Sequence, residues 1–162
     1  MSELAIITGA SIAVAADHGG FRLKQAIAAQ LRALGHAVLD FGVHNEDRAD
    51  YPDYAHPACA AVLDGRATFA VLVCGTGIGM SLAANRNPGI RCALVSEATS
   101  AGLARAHNNA NALALGGRMI AEAAAFDILR AFLATPYEGG RHDARLAKLL
   151  PANPTPPRTE PA

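Results

Sequence analysis

The sequence is poor in aromatic and in charged residues, and this excludes several classes of protein. It has no tryptophan, three tyrosines and five phenylalanines, so a platform of aromatic rings that stacks nucleic-acid bases is not expected. Only 17% of the residues are charged, and 14 Lys and Arg residues balance 14 Asp and Glu residues. A chain without excess positive charge has no strong attraction to a phosphate backbone. We therefore expect no nucleic-acid partner.

Cysteine is also scarce, and turn residues interrupt the longest uncharged segment. Cys59, Cys74 and Cys92 form no Cys-x-x-Cys pair, so neither a disulfide framework nor a zinc ribbon is expected, and a reducing compartment fits. Residues 67–85 carry no charge, but glycine, serine and asparagine fall among them, which favours strand–turn–helix over a membrane span. The apolar segment 4–16 lacks the basic residues that begin a secretory signal. We predict a cytoplasmic protein without a membrane segment.

Short apolar segments alternate with segments of helical periodicity, which is typical of βαβ units around a parallel sheet. Hydrophobic residues make up 51% of the 162 residues, enough for the core of one domain. We predict a three-layer α/β/α domain over residues 11–150, an N-terminal extension over 1–10 and a disordered, proline-rich tail over 151–162. The predicted strands are 11–16, 37–41, 69–74, 91–95 and 112–115, and the predicted helices are about 20–34, 52–65, 77–87, 98–107, 121–133 and 141–150.

The strongest local signal is the strand end at Cys74, where a glycine-rich turn opens a helix. Ligands of parallel sheets bind outside the carboxyl ends of the strands, where this turn lies. Gly75, Gly77 and Gly79 allow successive backbone N–H groups to point at an anion, and the start of the helix adds partial positive charge. The same field favours the thiolate form of Cys74, a usable base or nucleophile. The alternative is a tight turn beside an inert buried cysteine.

Polar residues also follow other strand and helix ends. Asp17 and His18 follow the first strand, where they could hold sugar hydroxyls or an anion, or where Asp17 could cap the next helix. His107, Asn108 and Asn109 close the fourth helix. An Asn could be its C-cap, with His107 favourable at the negative end of the helix dipole, or His107 could act as a general acid or base. The remaining histidines, His36, His44, His56 and His142, show no metal-ligand spacing.

Three arginines follow the later elements. Arg118 comes after the fifth strand, and Arg141 and Arg145 lie four residues apart on one helical face. Separately they are ordinary surface residues. Together they could form a phosphate clamp, because guanidinium groups match phosphate oxygens in geometry.

The glycine-rich turn has a second interpretation as a dinucleotide-binding fingerprint. Glu97 lies about 20 residues further on, where a ribose-binding acid is expected. However, the spacing is Gly-x-Gly-x-Gly, Met80 stands where the third glycine belongs, and the turn follows the third strand rather than the first. A P-loop is excluded because no Gly-Lys-Ser/Thr follows. A nucleotide-binding regulatory domain stays as the alternative from another class.

In this order the motifs resemble the ribose-5-phosphate isomerase B family, within the wider group of ribose/galactose-6-phosphate isomerases. The resemblance implies a Rossmann-like, five-stranded parallel sheet in the order 2-1-3-5-4. It implies interconversion of D-ribose 5-phosphate and D-ribulose 5-phosphate without metal or cofactor, by a homodimer or a tetramer of two dimers with shared active sites. An allose- or galactose-6-phosphate isomerase is the alternative within the class. The matching segments are 16–21, 50–52, 74–79, 83–85, 89–91, 105–111 and 137–142.

The resemblance also implies a role for each site residue. Cys74 would be the general base that moves a proton between C1 and C2, and Thr76 and His107 would help to open the furanose ring. The amides of residues 75–79 would hold the enediolate. Some members use a Glu just after the last loop glycine, but Met80 stands there in this chain, so the thiol is the only base available. The sugar would contact Asp17, Tyr51 and Asn108, and the phosphate would contact His18, Arg118, Arg141 and Arg145.

Overall fold

The computed structural model describes residues 9–149, which form a three-layer α/β/α domain. The five strands pair in parallel in the order β2-β1-β3-β5-β4. The predicted Rossmann-like fold and the strand order are confirmed. Most of the predicted extension 1–10 and all of the predicted tail 151–162 lie outside the described residues. The strands are β1 (Ser11–Ala16), β2 (Ala37–Asp40), β3 (Phe69–Cys74), β4 (Cys92–Leu94) and β5 (Ala112–Gly116).

Helices connect the strands and cover both faces of the sheet. No helix within residues 9–149 is both long and apolar enough to cross a bilayer. The third predicted helix ends earlier than expected, because the side chain of Asn85 bonds the backbone of Cys92 and turns the chain into β4. The helices are α1 (Phe21–Ala33), α2 (Tyr51–Leu63), α3 (Ile78–Ala84), α4 (Ala98–Asn108), α5 (Glu122–Ala134) and α6 (Asp143–Leu146).

The two faces of the sheet carry different side chains, because successive residues of a strand point to opposite sides. One face packs Ile12, Val14 and other large apolar residues against α1, α4 and α5. The other face packs mostly alanines against α2 and α3, and it includes Cys74. Cys74 therefore lies on the side of the sheet that α3 covers.

The direction of the chain decides which residues can meet. In a parallel sheet, all strands end at one edge, here called the carboxyl edge, and Asp17, the glycine-rich turn and Arg118 follow strands there. Each helix then runs back to the opposite, amino edge. Helix α4 has 11 residues and so spans about 16 Å, which carries His107 and Asn108 to the amino edge.

Candidate active site

The glycine-rich turn contacts the sulfur of Cys74 through a backbone amide. The side chain is buried, with 4% of the residue exposed, and its Sγ accepts a hydrogen bond from the N–H of Gly77 at 3.1 Å. Gly77 has φ +80°, and a Cβ there would lie 2.6 Å from Cδ1 of Leu94, so only glycine fits this position. Thr76 is exposed beside it, and its hydroxyl accepts the N–H of Ile78 at 3.3 Å. The turn thus holds a thiol, an amide and a hydroxyl close together.

The residues that follow β1 and β5 contact the backbone of this turn. The N–H of Gly117 donates to the carbonyl of Cys74 at 2.8 Å, and the N–H of Arg118 donates to the carbonyl of Gly75 at 3.0 Å. On the other side, a Cβ on Gly19 would lie 3.0 Å from the N atom of Gly75. These close approaches place the residues after β1 and β5 against the backbone of the glycine-rich turn.

Asp17 and His18 are held in place by the backbone. Asp17 is 9% exposed, and its Oδ1 accepts the N–H of Gly20 at 3.1 Å, which closes the turn before α1. The N-cap of α1 is Gly20, without a side-chain cap bond, so the alternative that Asp17 caps this helix is wrong. The Oδ2 of Asp17 has no partner among the described residues. The Nδ1 of His18 lies within hydrogen-bond distance of the backbone of Ala49, 3.2 Å from the carbonyl and 3.3 Å from the nitrogen. Its Nε2 has no partner within residues 9–149.

Tyr51 and Arg118 each lie against a glycine of the turn. A Cβ on Gly79 would lie 2.8 Å from Cε1 of Tyr51, so the ring rests against the loop backbone. A Cβ on Gly75 would lie 3.4 Å from Nη1 of Arg118. In the described part of the chain the exposed guanidinium of Arg118 makes no ion pair with a carboxylate. Its positive charge is therefore free to meet an anion at this edge.

The other predicted site residues lie at the amino edge. His107 and Asn108 end α4, and Asn109 caps the helix with φ +44°, as a left-handed C-cap does. Arg141 and Arg145 are both exposed in the segment after α5, and Nη1 of Arg145 donates to the carbonyl of Arg141 at 3.3 Å. This segment is tied to α4 by the N–H of Glu138, which donates to the carbonyl of Ala106 at 3.0 Å.

A single chain therefore divides the predicted site between the two edges of the sheet. His107 lies nine residues after the first residue of α4, a rise of about 14 Å from the carboxyl edge, which is too far for contact with a ligand held by Cys74. The carboxyl-edge group comprises Asp17, His18, Tyr51, Cys74, Gly75, Thr76, Gly77, Gly79 and Arg118. The amino-edge group comprises His107, Asn108, Arg141 and Arg145.

Sequence comparison places this arrangement in a known family. Residues 12–149 match the ribose/galactose isomerase family, and the chain is 45% identical to ribose-5-phosphate isomerase B of Escherichia coli K12 over 135 residues, 83% of this chain and 91% of that one. The chain belongs to the ribose/galactose isomerase family. The chain is therefore an isomerase, and the family resemblance described in the sequence analysis is confirmed.

Solved structures of this isomerase family have the same fold. The ribose 5-phosphate isomerase of Thermotoga maritima matches with a TM-score of 0.85 and 48% identity, over 86% of this chain and 96% of that chain. Ribose-5-phosphate isomerase B of Clostridium thermocellum matches with a TM-score of 0.85 and 42% identity, over 86% and 94%. The family match over residues 12–149 includes both groups of candidate residues.

Two residues that the sequence did not mark as candidates contact His107 in the structure of this isomerase. His142 stacks on His107 with ring centroids 4.5 Å apart and planes 14° apart, and Glu138 reaches both rings. Donor atoms of the three lie within 4.8 Å of one another, as in metal sites. However, parallel stacked rings direct their nitrogen lone pairs side by side rather than at one ion, which argues against chelation. The four-residue spacing of Glu138 and His142 was visible in the sequence, but their contact with α4 was not.

Two asparagines of the family motifs bind the backbone. Asn85 Oδ1 accepts the N–H of Cys92 at 2.9 Å, and Asn111 Oδ1 accepts the N–H of Arg91 at 2.7 Å. Both side chains fasten the start of β4 to neighbouring elements. A structural role thus accounts for these two asparagines.

Glu97 has a structural role that disfavours the nucleotide-binding alternative. Its carboxylate caps α4 by accepting the N–H groups of Thr99 and Ser100, each at 2.7 Å, and the bonds from Ser100 hold its pKa below the usual range. In addition, β5 lies between β3 and β4, so Glu97 follows a strand that is not adjacent to the glycine-rich turn. Both oxygens are used, and the ribose contact expected of a dinucleotide fold has no support.

Proposed function

We propose that the protein interconverts D-ribose 5-phosphate and D-ribulose 5-phosphate through an enediolate, without metal or cofactor. The observation that carries the proposal is the buried Cys74 sulfur, which accepts the N–H of Gly77. The guanidinium of Arg118 lies against the next residue, Gly75, and has no carboxylate partner within residues 9–149. The family membership supports the sugar-phosphate class, and the relatives named above supply the five-carbon substrate.

Cys74 is the general base in this proposal. Its sulfur removes the proton from C2 of the open-chain aldose and returns it to C1, while the hydroxyl proton on O2 moves to O1. The negative charge that develops on oxygen is held by the amides of residues 75–79. A positioned base and a set of amide donors each contribute roughly 10²-fold or more. Met80, which is fully buried and apolar, leaves the loop without a carboxylate that could replace the thiol.

The remaining carboxyl-edge residues bind the substrate. The free Oδ2 of Asp17 and the hydroxyl of Tyr51 contact sugar hydroxyls. The free Nε2 of His18 and the guanidinium of Arg118 contact the phosphate. Because the phosphate is remote from C1 and C2, its binding energy serves to hold those carbons against the sulfur.

The amino-edge residues complete the site from a second copy of the chain. His107 and Thr76 then assist ring opening, Asn108 contacts the sugar, and Arg141 and Arg145 bind the phosphate together with Arg118. Within residues 9–149, none of these three arginines is paired with a carboxylate.

An exposed apolar surface supports a homodimer. Ile78 and Leu82 on α3 are 53% and 56% exposed, and Leu94 on the edge strand β4 is 45% exposed. Helix α3 runs from the carboxyl edge to the amino edge, where Asn87 and Asn108 line one cleft of about 600 Å³. Two α3 helices that pair antiparallel about a two-fold axis bring the Cys74 turn of one chain to the amino edge of the other. A tetramer of two such dimers is the alternative assembly.

Isomerase kinetics with matched substrates test the proposal. We expect ribose 5-phosphate to be converted with a kcat/KM well above that for allose 6-phosphate and galactose 6-phosphate, and dialysis against a chelator to leave the rate unchanged. A preference for a six-carbon sugar phosphate would identify the alternative within the family. Absence of turnover with all three sugars would overturn the proposal.

A further inference from the structure

The imidazole ring of His142 stacks on that of His107. The rings of His107 and His142 are 4.5 Å apart and 14° from parallel. The side chain of His142 is only 8% exposed, whereas that of His107 is 35% exposed. One face of the His107 ring is thus covered by a fixed ring, and its other side is open to solvent. Such a stack restricts rotation of His107 about its side-chain bonds.

Glu138 approaches the same two rings from the edge. Its Oε2 lies 3.9 Å from Nε2 of His107 and 3.5 Å from Nε2 of His142. An imidazole that removes a proton from a sugar hydroxyl becomes a cation, and a nearby carboxylate stabilises that cation and orients the ring. Glu138 is therefore placed to assist an acid–base histidine without touching the substrate.

The segment that carries Glu138 and His142 is fastened to the end of α4. The N–H of Glu138 donates to the carbonyl of Ala106, the residue before His107, at 3.0 Å. The hydroxyl of Tyr137 donates to Asp143 at 2.7 Å, which closes the segment on itself. The segment is thus attached to the backbone of α4 at Glu138, and a bond between two exposed side chains closes it around His142.

The end of α4 is itself held from inside the domain. The guanidinium of Arg105 lies over the rings of Phe69 and Phe132, at 5.0 and 5.6 Å from their centroids. It donates to Oδ1 of Asn109 at 2.9 Å and to the carbonyl of Ala110 at 2.7 Å. The turn that follows His107 and Asn108 is therefore rigid.

We propose that His142 and Glu138 are positioning residues for ring opening, and that they act through His107; this inference rests on the proposed function. His142 fixes the plane of the His107 ring, and Glu138 stabilises the charge that forms on it. Arg141 belongs to the same unit, because its Nε donates to Nε2 of His142 at 3.3 Å. Binding of the phosphate by Arg141 and placement of His107 are thus coupled through one side chain.

Ring opening can be tested apart from proton transfer by measuring the reaction in both directions. Ribose 5-phosphate is mostly a furanose, closed through its C4 oxygen, and must be opened. Ribulose 5-phosphate is an open chain, because the oxygen that would close its five-membered ring carries the phosphate. A residue that serves only ring opening is therefore needed when ribose 5-phosphate is the substrate. It is not needed when ribulose 5-phosphate is the substrate and the aldose is released as the open chain.

The experiment compares His142→Ala, His142→Phe and Glu138→Gln in both directions. A positioned acid–base group contributes 10²-fold or more, so we expect its misplacement in His142→Ala to lower kcat from ribose 5-phosphate about tenfold. The kcat from ribulose 5-phosphate should stay within about twofold. His142→Phe keeps a flat ring and should recover most of the loss. Asp127→Asn, which removes an exposed acid from the middle of α5, is the matched control for Glu138→Gln and should leave both rates unchanged.

A double-mutant cycle decides whether the two residues act through His107. In a His107→Ala background, His142→Ala and Glu138→Gln should cause no further loss. Equal losses in both directions, or additive losses in the cycle, would overturn the inference and leave the proposed function intact. Because the side chain of Glu138 is 56% exposed, Glu138→Gln should fold and can be measured even if His142→Ala does not fold. A wild-type protein without isomerase activity would overturn both.

Discussion

The N–H of Gly77 donates a hydrogen bond to Sγ of Cys74 at 3.1 Å. This bond fixes the position of the sulfur within the glycine-rich turn. The left-handed backbone of Gly77 is what turns its N–H back toward the end of β3. This hydrogen bond connects the glycine-rich turn to the proposed base. The first predictions change the two residues that it joins, Cys74 and Gly77.

We expect Cys74→Ser to fold and to bind ribose 5-phosphate but to lose turnover by roughly 10²-fold or more. Serine fits the same space and can accept the N–H of Gly77, yet its hydroxyl is a far weaker proton acceptor than a thiolate. Calorimetry should show ligand affinity within a few-fold of wild type, and kinetics should show the loss in kcat. Cys92→Ala is the control, because Cys92 begins β4 and so lies at the opposite end of the sheet from Cys74, which ends β3. Near-normal turnover of Cys74→Ser would remove the thiol from the mechanism.

Alkylation should distinguish the three cysteines. Burial raises the pKa of Cys59 to about 11, and burial together with the neighbouring Cys59 raises the pKa of Cys92 further. Thiolates are the reactive form, so at pH 8 these two stay protonated and unreactive. We expect iodoacetamide to add one group per chain, at Cys74, in step with inactivation.

Substrate should slow this labelling, and the Cys74→Ser protein should not be labelled at pH 8. All three thiols should react in denaturant. As the pH rises toward 11, Cys59 gains thiolate and should begin to react wherever the reagent reaches it. Peptide mapping that finds Cys59 or Cys92 modified before Cys74 would contradict the assignment.

Gly77→Ala should damage both stability and activity. At φ +80° an alanine is strained, and its Cβ would meet Leu94 at 2.6 Å and the carbonyl carbon of Leu115 at 2.9 Å. We expect the free energy of unfolding to fall by about 1–3 kcal/mol, measured by urea denaturation, together with a loss of kcat. Gly65→Ala is the matched control, because Gly65 has φ +74° but nothing within 4 Å of the added atom. Equal effects in the two variants would show that crowding at the turn is unimportant.

The carboxyl-edge group could be predicted closely from the sequence. The strand over Phe69–Cys74 has the predicted bounds because six successive apolar residues, all buried, are followed by a glycine turn. Parallel strands end at one edge, so Asp17, Cys74 and Arg118 had to come near one another. Such contacts follow from local pattern and topology together.

The amino-edge group could not be predicted in the same way. The last helix was expected over 141–150, but the chain forms a tight turn over Gly140–His142 and the helix covers only Asp143–Leu146. Gly139 and Gly140 both have positive φ, at 64° and 59°, and they redirect the chain before the helix begins. The stack of His142 on His107 joins residues far apart in sequence, and no local signal marks it.

Mixing two variants that turn over ribose 5-phosphate very slowly tests whether the site is shared between subunits. Cys74→Ser supplies an intact amino edge, and His107→Ala supplies an intact carboxyl edge. After subunit exchange, half of the dimers contain one of each chain, and one of the two sites in such a dimer is complete. We therefore expect an equimolar mixture to recover about a quarter of wild-type activity from ribose 5-phosphate. A mixture of either variant with itself should recover nothing. If the mixed sample stays as slow as its components although mass spectrometry shows exchanged dimers, then His107 does not act on the partner's site.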